Sequence, residues 1–111
     1  MIKLTVAWQE YTGMNVRHED SDLERLERDA SFNGKFSPAV VESYRRKMQF
    51  IRAAADERDF RQMRSLNFEK LRGDREGQYS MRLNNQFRLI LEIEQNVPKN
   101  TIVIIEIADY H

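Results

Sequence analysis

Residues 69–94, EKLRGDREGQYSMRLNNQFRLILEIE, contain the pattern that decides the fold. Apolar residues occupy every second position on both sides of Asn84-Asn85-Gln86, which is the period of two half-buried strands joined by a tight turn. The alternating residues are Tyr79, Met81 and Leu83 before the turn and Phe87, Leu89, Leu91 and Ile93 after it. The stretch therefore predicts a β-hairpin with one apolar face packed inward.

The length of the turn decides which residues face one another. A three-residue loop pairs Leu83 with Phe87 and keeps the apolar face continuous, whereas a two-residue loop would set unlike residues beside each other. We therefore expect the longer loop, which places Arg82 directly opposite Arg88 on the outward face. Facing like charges cost about 0.2–1 kcal/mol, and a bound anion would relieve that cost. A phosphate-binding face and an ordinary solvated face of long cations are both open on this evidence.

Length and composition restrict the class of protein. The 111 residues suffice for one core, and we expect a single domain over residues 1–111. The chain contains no cysteine, which excludes disulfides, thiolate catalysis and cysteine-based zinc sites. No apolar run approaches the ~20 residues that cross a bilayer, and the N-terminus lacks the features of a secretory signal. We expect a cytoplasmic protein with no membrane partner.

The charges cancel overall but are unevenly distributed. Eighteen basic residues balance eighteen acidic ones. Residues 19–29 carry six acidic and two basic side chains, whereas residues 61–88 carry seven basic and three acidic ones. The second segment can attract a polyanion locally while the whole molecule stays neutral. His18, beside the acidic segment, is predicted to be an ordinary surface residue.

The N-terminal part predicts a strand, a loop and a first helix. Alternation at residues 2–6 indicates a strand, and the irregular residues 11–18 indicate a loop. A helix is predicted from Ser21, which stands in capping-box spacing with Glu24, to the stop signal at Gly34. Its apolar face contains Leu23, Leu26 and Ala30.

A second helix follows. Pro38 suits the first helical position, because its missing N–H costs nothing there, and the pattern continues to about Asp56. The apolar stripe consists of Val40, Val41, Tyr44, Met48, Ile51 and Ala55. A short helical turn over residues 57–64, anchored by Phe60 and Met63, is predicted next.

The end of the chain predicts a further strand. Residues 102–107 are apolar on both faces, which indicates a strand buried on both sides in the centre of a sheet. Short connections favour an antiparallel meander in this half. We therefore predict an α+β fold in the order strand, helix, helix, strands, with two N-terminal helices packed on a small, mostly antiparallel sheet.

The polar residues favour one chemistry over others. Two histidines without carboxylates at ligand spacing predict no metal site, and the absence of hydrolase, P-loop and dinucleotide motifs predicts no cofactor. RNA cleavage needs only an acid, a base and cations, because the ribose 2′-hydroxyl is the nucleophile. Candidate cations are Arg72, Arg75, Arg82 and Arg88, and candidate titratable groups are Asp109, Tyr110 and His111. A frayed tail with a packed tyrosine is the alternative explanation of these last three residues.

Residues 68–111 resemble the HigB, or system-killer, branch of the RelE superfamily of bacterial toxins. The resemblance is carried by LRGDREGQYSMRLNNQFRLIL and by the terminal IVIIEIADYH. It implies a type II toxin that cuts messenger RNA without metal, usually in the ribosomal A site. It also implies a cognate helix-turn-helix antitoxin of the HigA type, which neutralises the toxin and carries it to operator DNA. Two alternatives are a catalytically weak or inactive binding module acting with that antitoxin in operon repression, and a plain dimerising protein.

The resemblance also implies residue roles. Arg88 matches the arginine expected to contact the scissile phosphate, and the catalytic terminal triplet is matched by Asp109, Tyr110 and His111. Basic positions of the RNA face are matched by Lys70, Arg72, Arg75 and Arg82, the last of which can instead orient its neighbours. Glu69 is a departure, because some HigB toxins carry a histidine there. It either substitutes as a base or pairs with Arg72 or Arg82.

Overall fold

A computed structural model of the chain describes residues 13–109. The helices in that range are α1 (Ser21–Arg28), α2 (Pro38–Ala53) and α3 (Arg58–Gln62), with 3-10 turns at Arg64–Leu66 and Gly73–Arg75. The strands in that range are β1 (Asn15–His18), β2 (Glu69–Lys70), β3 (Tyr79–Arg82), β4 (Phe87–Glu94) and β5 (Thr101–Asp109). The strand predicted at residues 2–6 lies outside the described residues. None of the helices in residues 13–109 has the length and apolar character needed to cross a membrane.

The five strands form one sheet in the order β1-β5-β4-β3-β2. All neighbouring pairs are antiparallel except β1 and β5, which are parallel. The predicted α+β fold with a mostly antiparallel sheet is therefore confirmed. β5 is an interior strand, and its residues Ile102, Val103 and Ile104 are buried as predicted. The middle strand of the five is β4 rather than β5.

The hairpin has the predicted register. The Leu83 N–H donates to the Phe87 carbonyl at 3.0 Å, which closes a three-residue loop. Arg82 consequently stands directly opposite Arg88. The alternating apolar residues pack against the helices, and the cluster they form contains Met81, Leu83, Leu89 and Leu91 from the hairpin with Leu26, Tyr44, Met48, Ile51 and Phe60 from the helices.

The first helix is shorter than predicted. It ends at Arg28, and Asp29 has an extended backbone with φ −105° and ψ 107°. The Asp29 carboxylate accepts hydrogen bonds from the Ser31 N–H at 2.9 Å and from the Ser31 hydroxyl at 2.7 Å. Such local bonds compete with helix continuation, which explains the early end. Ala30 is therefore exposed rather than part of the apolar face.

The segment predicted as a loop before α1 is a strand in its second half. Asn15–His18 pairs with β5 in parallel, with Val16 opposite Ile102. A four-residue strand offers too little alternation to be recognised, and its pairing partner lies far along the chain. Gly13 precedes it with φ +76°, and a Cβ there would lie 2.0 Å from the Arg52 carbonyl oxygen. Only glycine therefore fits where the chain passes the end of α2.

His18 is not an ordinary surface residue, so that prediction is wrong. Its side chain is 7% exposed, and Nε2 lies 3.1 Å from Oε1 of Glu27 on α1. Arg52 of α2 donates to the same carboxylate at 2.5 and 3.0 Å. The pairing of β1 with β5 turns His18 inward. His18 of β1 and Arg52 of α2 both contact Glu27 of α1, and these contacts connect the strand to both helices.

The second helix begins as predicted and ends slightly earlier. The Ser37 hydroxyl accepts from the Val40 N–H, and the helix ends at Ala53 rather than near Asp56. Ala54 is buried and Ala55 is exposed, so the stripe ends one residue before the predicted position. In the next helical turns Phe60 is buried as predicted. Met63 is 43% exposed, so its role as an anchor is wrong.

Arg45 of α2 stabilises the end of α1. Its guanidinium donates to three backbone carbonyls, at 2.9 Å to Leu26, 2.9 Å to Asp29 and 3.1 Å to Phe32. Carbonyls at a helix end have no partner within the helix. One side chain therefore satisfies the Leu26 carbonyl of α1, binds the residues that follow the helix and connects the two helices.

We expect Arg45→Ala to lower the free energy of unfolding by about 1–3 kcal/mol, because several part-buried carbonyls lose a charged donor. Urea denaturation followed by circular dichroism measures this loss. Arg46→Ala is the matched control, since the exposed Arg46 pairs only with Glu42 of the same helix in the described contacts. An equal loss in both variants would show that the bonds to α1 contribute little.

The Glu27 carboxylate predicts a dependence of stability on pH. Burial alone raises its pKa, but the contact with His18 and the hydrogen bonds from Arg52 outweigh burial and lower the pKa to about 2. A carboxyl whose pKa is lower in the folded state stabilises the fold above its ordinary pKa of about 4.5 and loses that effect as the pH falls towards 2. Between pH 5 and pH 2 we expect the protein to lose about 1–3 kcal/mol more stability than its Glu27→Gln variant. Denaturant titrations at several pH values give the free energy of unfolding of each protein. An equal loss of this free energy between pH 5 and pH 2 in both proteins would contradict the assignment.

Candidate functional site

A polar cleft lies at the turn end of the β3–β4 hairpin. It has a volume of about 300 Å³ and is lined by Asn67, Arg82, Asn84, Asn85 and Arg88. Two of these five residues are the facing arginines of the hairpin. Because β4 residues alternate between faces, Arg88 lies on the opposite side of the sheet from Leu89 and the helices.

Arg88 is the most enclosed of the cleft residues. The residue is 9% exposed, which contradicts the prediction that its side chain lies on an open outward face. Nε donates to the Ser80 hydroxyl at 2.8 Å, and Nη2 donates to the Asn67 carbonyl. The chain before β2 therefore covers the arginine from the side. It lines the cleft without entering the apolar core.

Arg82 and the loop form the other wall. Arg82 donates to the side-chain oxygen of Asn85, so the loop holds it at the cleft. The loop is itself fixed by Asn84, whose Oδ1 accepts from the N–H groups of Gln86 at 2.8 Å and Phe87 at 2.7 Å. Asparagine favours turns because it makes such bonds to the backbone ahead of it. The cleft therefore combines two guanidinium groups with amides on a short, well-bonded loop.

The other predicted basic residues do not line this cleft. Lys70 and Arg72 line a second one, of about 450 Å³, with Leu71, Glu76 and Gly77 near the β2 edge. Arg75 pairs with Glu106 of β5 at 2.7 Å and also donates to Gln78 at 2.9 Å. Its charge is thus partly compensated within the protein. Of the four residues predicted to bind RNA, only Arg82 shares the cleft of Arg88.

Asp109 ends β5 near the hairpin turn, but its side chain lies on the face of Phe87, opposite to that of Arg88, and it does not line the cleft. It pairs with Phe87, the residue before Arg88, while Ala108 stands opposite Arg88 itself. The Asp109 carboxylate accepts from the Gln86 side chain at 3.1 Å. The end of β5 therefore reaches the hairpin turn. Tyr110 and His111, the other two predicted catalytic residues, lie outside the described residues.

Glu69 lies beside Arg88 rather than Arg72 or Arg82. Its Oε1 is 4.0 Å from Nη2 of Arg88, and its side chain is 57% exposed. The pairing of Glu69 with Ser80 across β2 and β3 accounts for this position. A carboxylate in that place can accept a proton or weaken the field of Arg88. In residues 13–109 no three histidine, aspartate or glutamate side chains are grouped so that they could hold a metal ion.

Two residues that sequence reasoning missed contact Arg88. Ser80 is completely buried and accepts the Arg88 Nε–H. Asn67 contributes its carbonyl from a left-handed backbone conformation with φ 45° and ψ 52°. The sequence contained a weak signal for Ser80, because a serine on the face of β3 away from the helices can accept a hydrogen bond from Arg88 on the neighbouring strand. No sequence pattern marked Asn67, because its contribution comes from the backbone.

Comparison with known proteins gives the family. A family model described as the RelE-like toxin of the type II toxin-antitoxin system HigB matches residues 16–111. The chain belongs to the HigB-like toxin family. Toxin HigB-1 from Vibrio cholerae serotype O1 is similar, with 31% identity over 88 residues that cover 79% of this chain and 93% of that toxin. The resemblance noted in residues 68–111 is thus confirmed, and the family match extends to β1.

Solved structures share the fold of this HigB-like toxin. The YoeB-YefM complex from Staphylococcus aureus superposes with a TM-score of 0.55 at 20% identity, covering 88% of this chain and 97% of that chain. The YoeB/ParE toxin from Agrobacterium tumefaciens gives 0.53 at 15% identity, covering 88% and 100%. Identities this low establish the fold alone. Toxins of the RelE and HigB family are in general endoribonucleases.

Proposed function

We propose that this HigB-like toxin cuts messenger RNA on the ribosome without a metal ion and so inhibits translation. Arg88 carries the proposal, because it lines an open polar cleft while Ser80 and Asn67 hold its guanidinium. Arginine keeps its charge at every physiological pH and can donate two N–H groups to one phosphate. Arg82, which carries a second guanidinium, is paired directly opposite Arg88 in the hairpin and lines the same cleft. A phosphate bound between them would relieve their repulsion.

The reaction we propose uses the RNA's own nucleophile. The ribose 2′-oxygen forms a bond to the adjacent phosphorus, and the bond from phosphorus to the 5′-oxygen breaks. The 2′-hydroxyl proton passes to a base, and an acid supplies a proton to the departing 5′-oxygen. The products are a 2′,3′-cyclic phosphate and a 5′-hydroxyl. Arg88 stabilises the charge that develops on the phosphoryl oxygens during this exchange.

Asp109, Tyr110 and His111 supply the acid and the base in this proposal. Ala108 stands opposite Arg88, so the end of β5 lies beside the hairpin turn, although the Asp109 side chain itself is on the face of Phe87. Histidine is suited to proton transfer near neutral pH. Glu69 is the alternative base, since its carboxylate lies 4.0 Å from Arg88 and is exposed to an incoming substrate.

The remaining cations bind the RNA backbone away from the reacting phosphate. Lys70 and Arg72 line the cleft near the β2 edge, where they can follow the strand beyond the cut. Arg82 contacts the phosphate beside Arg88. Arg75 contributes less, because Glu106 already pairs with it. Contacts of this kind are independent of sequence and weaken as salt increases.

The partner we propose is a cognate helix-turn-helix antitoxin of the HigA type. It neutralises the toxin in the cytoplasm, and the toxin reaches operator DNA only through it. Membership of a toxin-antitoxin family supports an antitoxin partner. The S. aureus neighbour is itself a complex of YoeB with YefM.

We expect Arg88→Ala to reduce cleavage of translated messages by about 100- to 1,000-fold, because one charged donor to the phosphoryl oxygens is lost. Primer extension on messages from a translating extract measures the cuts, and growth after induction without antitoxin reports toxicity. His111→Ala should reduce both in the same way. Arg46→Ala is the control, since Arg46 is exposed on α2 and pairs with Glu42.

Two results would change the assignment. Full toxicity of both Arg88→Ala and His111→Ala would place the active site elsewhere. Uncut messages with the wild-type toxin, together with tight antitoxin binding, would favour the non-catalytic binding module. A protein that shows neither behaviour would be a plain α+β protein.

A further inference from the structure

We propose that Ser80 and Asn67 are positioning residues, which fix the guanidinium of Arg88 in the orientation that meets the RNA phosphate. The inference rests on the proposed function, because it assumes that Arg88 contacts the phosphate. It goes further by assigning the arginine's effectiveness to two residues that need not touch RNA themselves.

Ser80 provides the first constraint. Ser80 is completely buried on β3, and its hydroxyl accepts a hydrogen bond from the Nε–H of Arg88 at 2.8 Å. A buried hydroxyl requires a hydrogen-bond partner, and an acceptor at Nε restricts rotation about the long arginine side chain. Ser80 stands opposite Ile90 and Arg88 opposite Arg82, so the two bonded residues lie diagonally across neighbouring strands. The hairpin register therefore sets this bond.

Asn67 provides the second constraint through its backbone. Its carbonyl accepts from Nη2 of Arg88, and its N–H donates to the Arg64 carbonyl at 3.0 Å, ending the 3-10 turn. The carbonyl reaches Arg88 because Asn67 has φ 45° and ψ 52°. Asparagine and glycine tolerate this left-handed conformation, whereas β-branched residues strongly disfavour it. The residue type at position 67 thus controls where the carbonyl points.

The two bonds act together on one group. Nε and Nη2 are both held from within the protein, and the same guanidinium lines the cleft. Small errors in the placement of a catalytic group reduce rates strongly, because the group must match the transition state. Loss of either bond should therefore lower the rate of cleavage more than it weakens binding of the message.

The first experiment compares two buried serines. Ser80→Ala removes the acceptor of Arg88, and Ser43→Ala removes a bond of 2.8 Å from a buried serine to the Leu83 carbonyl without touching Arg88. Single-turnover cleavage on programmed ribosomes gives a maximal rate and a half-saturating toxin concentration for each variant. We expect Ser80→Ala to lower the maximal rate about 10- to 100-fold with a half-saturating concentration within about twofold of wild type. Ser43→Ala should leave both unchanged.

The second experiment uses the backbone conformation at position 67. Asn67→Gly keeps the left-handed conformation accessible and should retain a higher maximal rate than Asn67→Val. Asn67→Val should lower the maximal rate as Ser80→Ala does. A β-branched side chain disfavours the left-handed conformation that points the carbonyl of residue 67 at Arg88. The Arg88 Nε–H signal in ¹⁵N NMR spectra gives an independent readout. We expect its exchange with water to accelerate in Ser80→Ala and to stay slow in Ser43→Ala.

The outcomes separate this inference from the proposed function. Wild-type rates in Ser80→Ala, or equal loss of rate in Ser80→Ala and Ser43→Ala, would overturn the positioning role. An unchanged rate of exchange of the Arg88 Nε–H with water in Ser80→Ala would also overturn the positioning role. If one of these results is obtained while Arg88→Ala abolishes cleavage in the same assay, the positioning role fails and the proposed function stands. Full cleavage by Arg88→Ala would remove both.

Discussion

The register of the β3–β4 hairpin is the constraint on which the rest of this structure depends. A three-residue loop, held by the two bonds of Asn84 to the backbone ahead of it, pairs Leu83 with Phe87. Side chains in a strand alternate between faces, so a slip by one residue would exchange the two faces of the whole strand. The same register that buries Leu89 against the helices places Arg88 on the other face beside Ser80. Core and site are therefore two consequences of one pairing.

An arginine enclosed beside a sheet is stable only when its donors have acceptors. Moving a charge out of water is costly unless it is paired and hydrogen-bonded. Arg88 meets this requirement with a hydroxyl, a backbone carbonyl and a carboxylate at 4.0 Å. Two of these acceptors are uncharged and hold the guanidinium without cancelling its charge, whereas the more distant Glu69 carboxylate weakens its field. Such an arrangement suits a group that has to attract a phosphate.

The folded protein redistributes the charges that the chain carries in blocks. The acidic segment over residues 19–29 is not simply a solvated face, because Glu27 lies between His18 and Arg52 and fastens β1 to the helices. In the basic segment, Arg75 is paired with Glu106 from the other end of the chain. Counting charges along the sequence therefore overestimated the cations available to RNA. The facing pair Arg82 and Arg88 is what remains concentrated at the cleft.

The sequence alone determined the elements whose causes are local. The alternation around residues 84–86, the proline at the start of α2 and the apolar last strand each depend on neighbours within a few residues. These elements were predicted correctly, although β4 rather than β5 is the middle strand. The motif that runs to the terminal Asp-Tyr-His also indicated the family correctly. The misplaced features depend on distant partners. β1 forms by pairing with β5, the end of α1 is held by Arg45 from α2, and Arg88 is enclosed by residues 67–69. The bond of Asp29 to Ser31 is the exception, because it is local and was not recognised in the sequence. Sequence spacing predicts which face of an element a side chain occupies. Only the tertiary structure decides which groups cover that face, because those groups come from segments that are far apart in the chain.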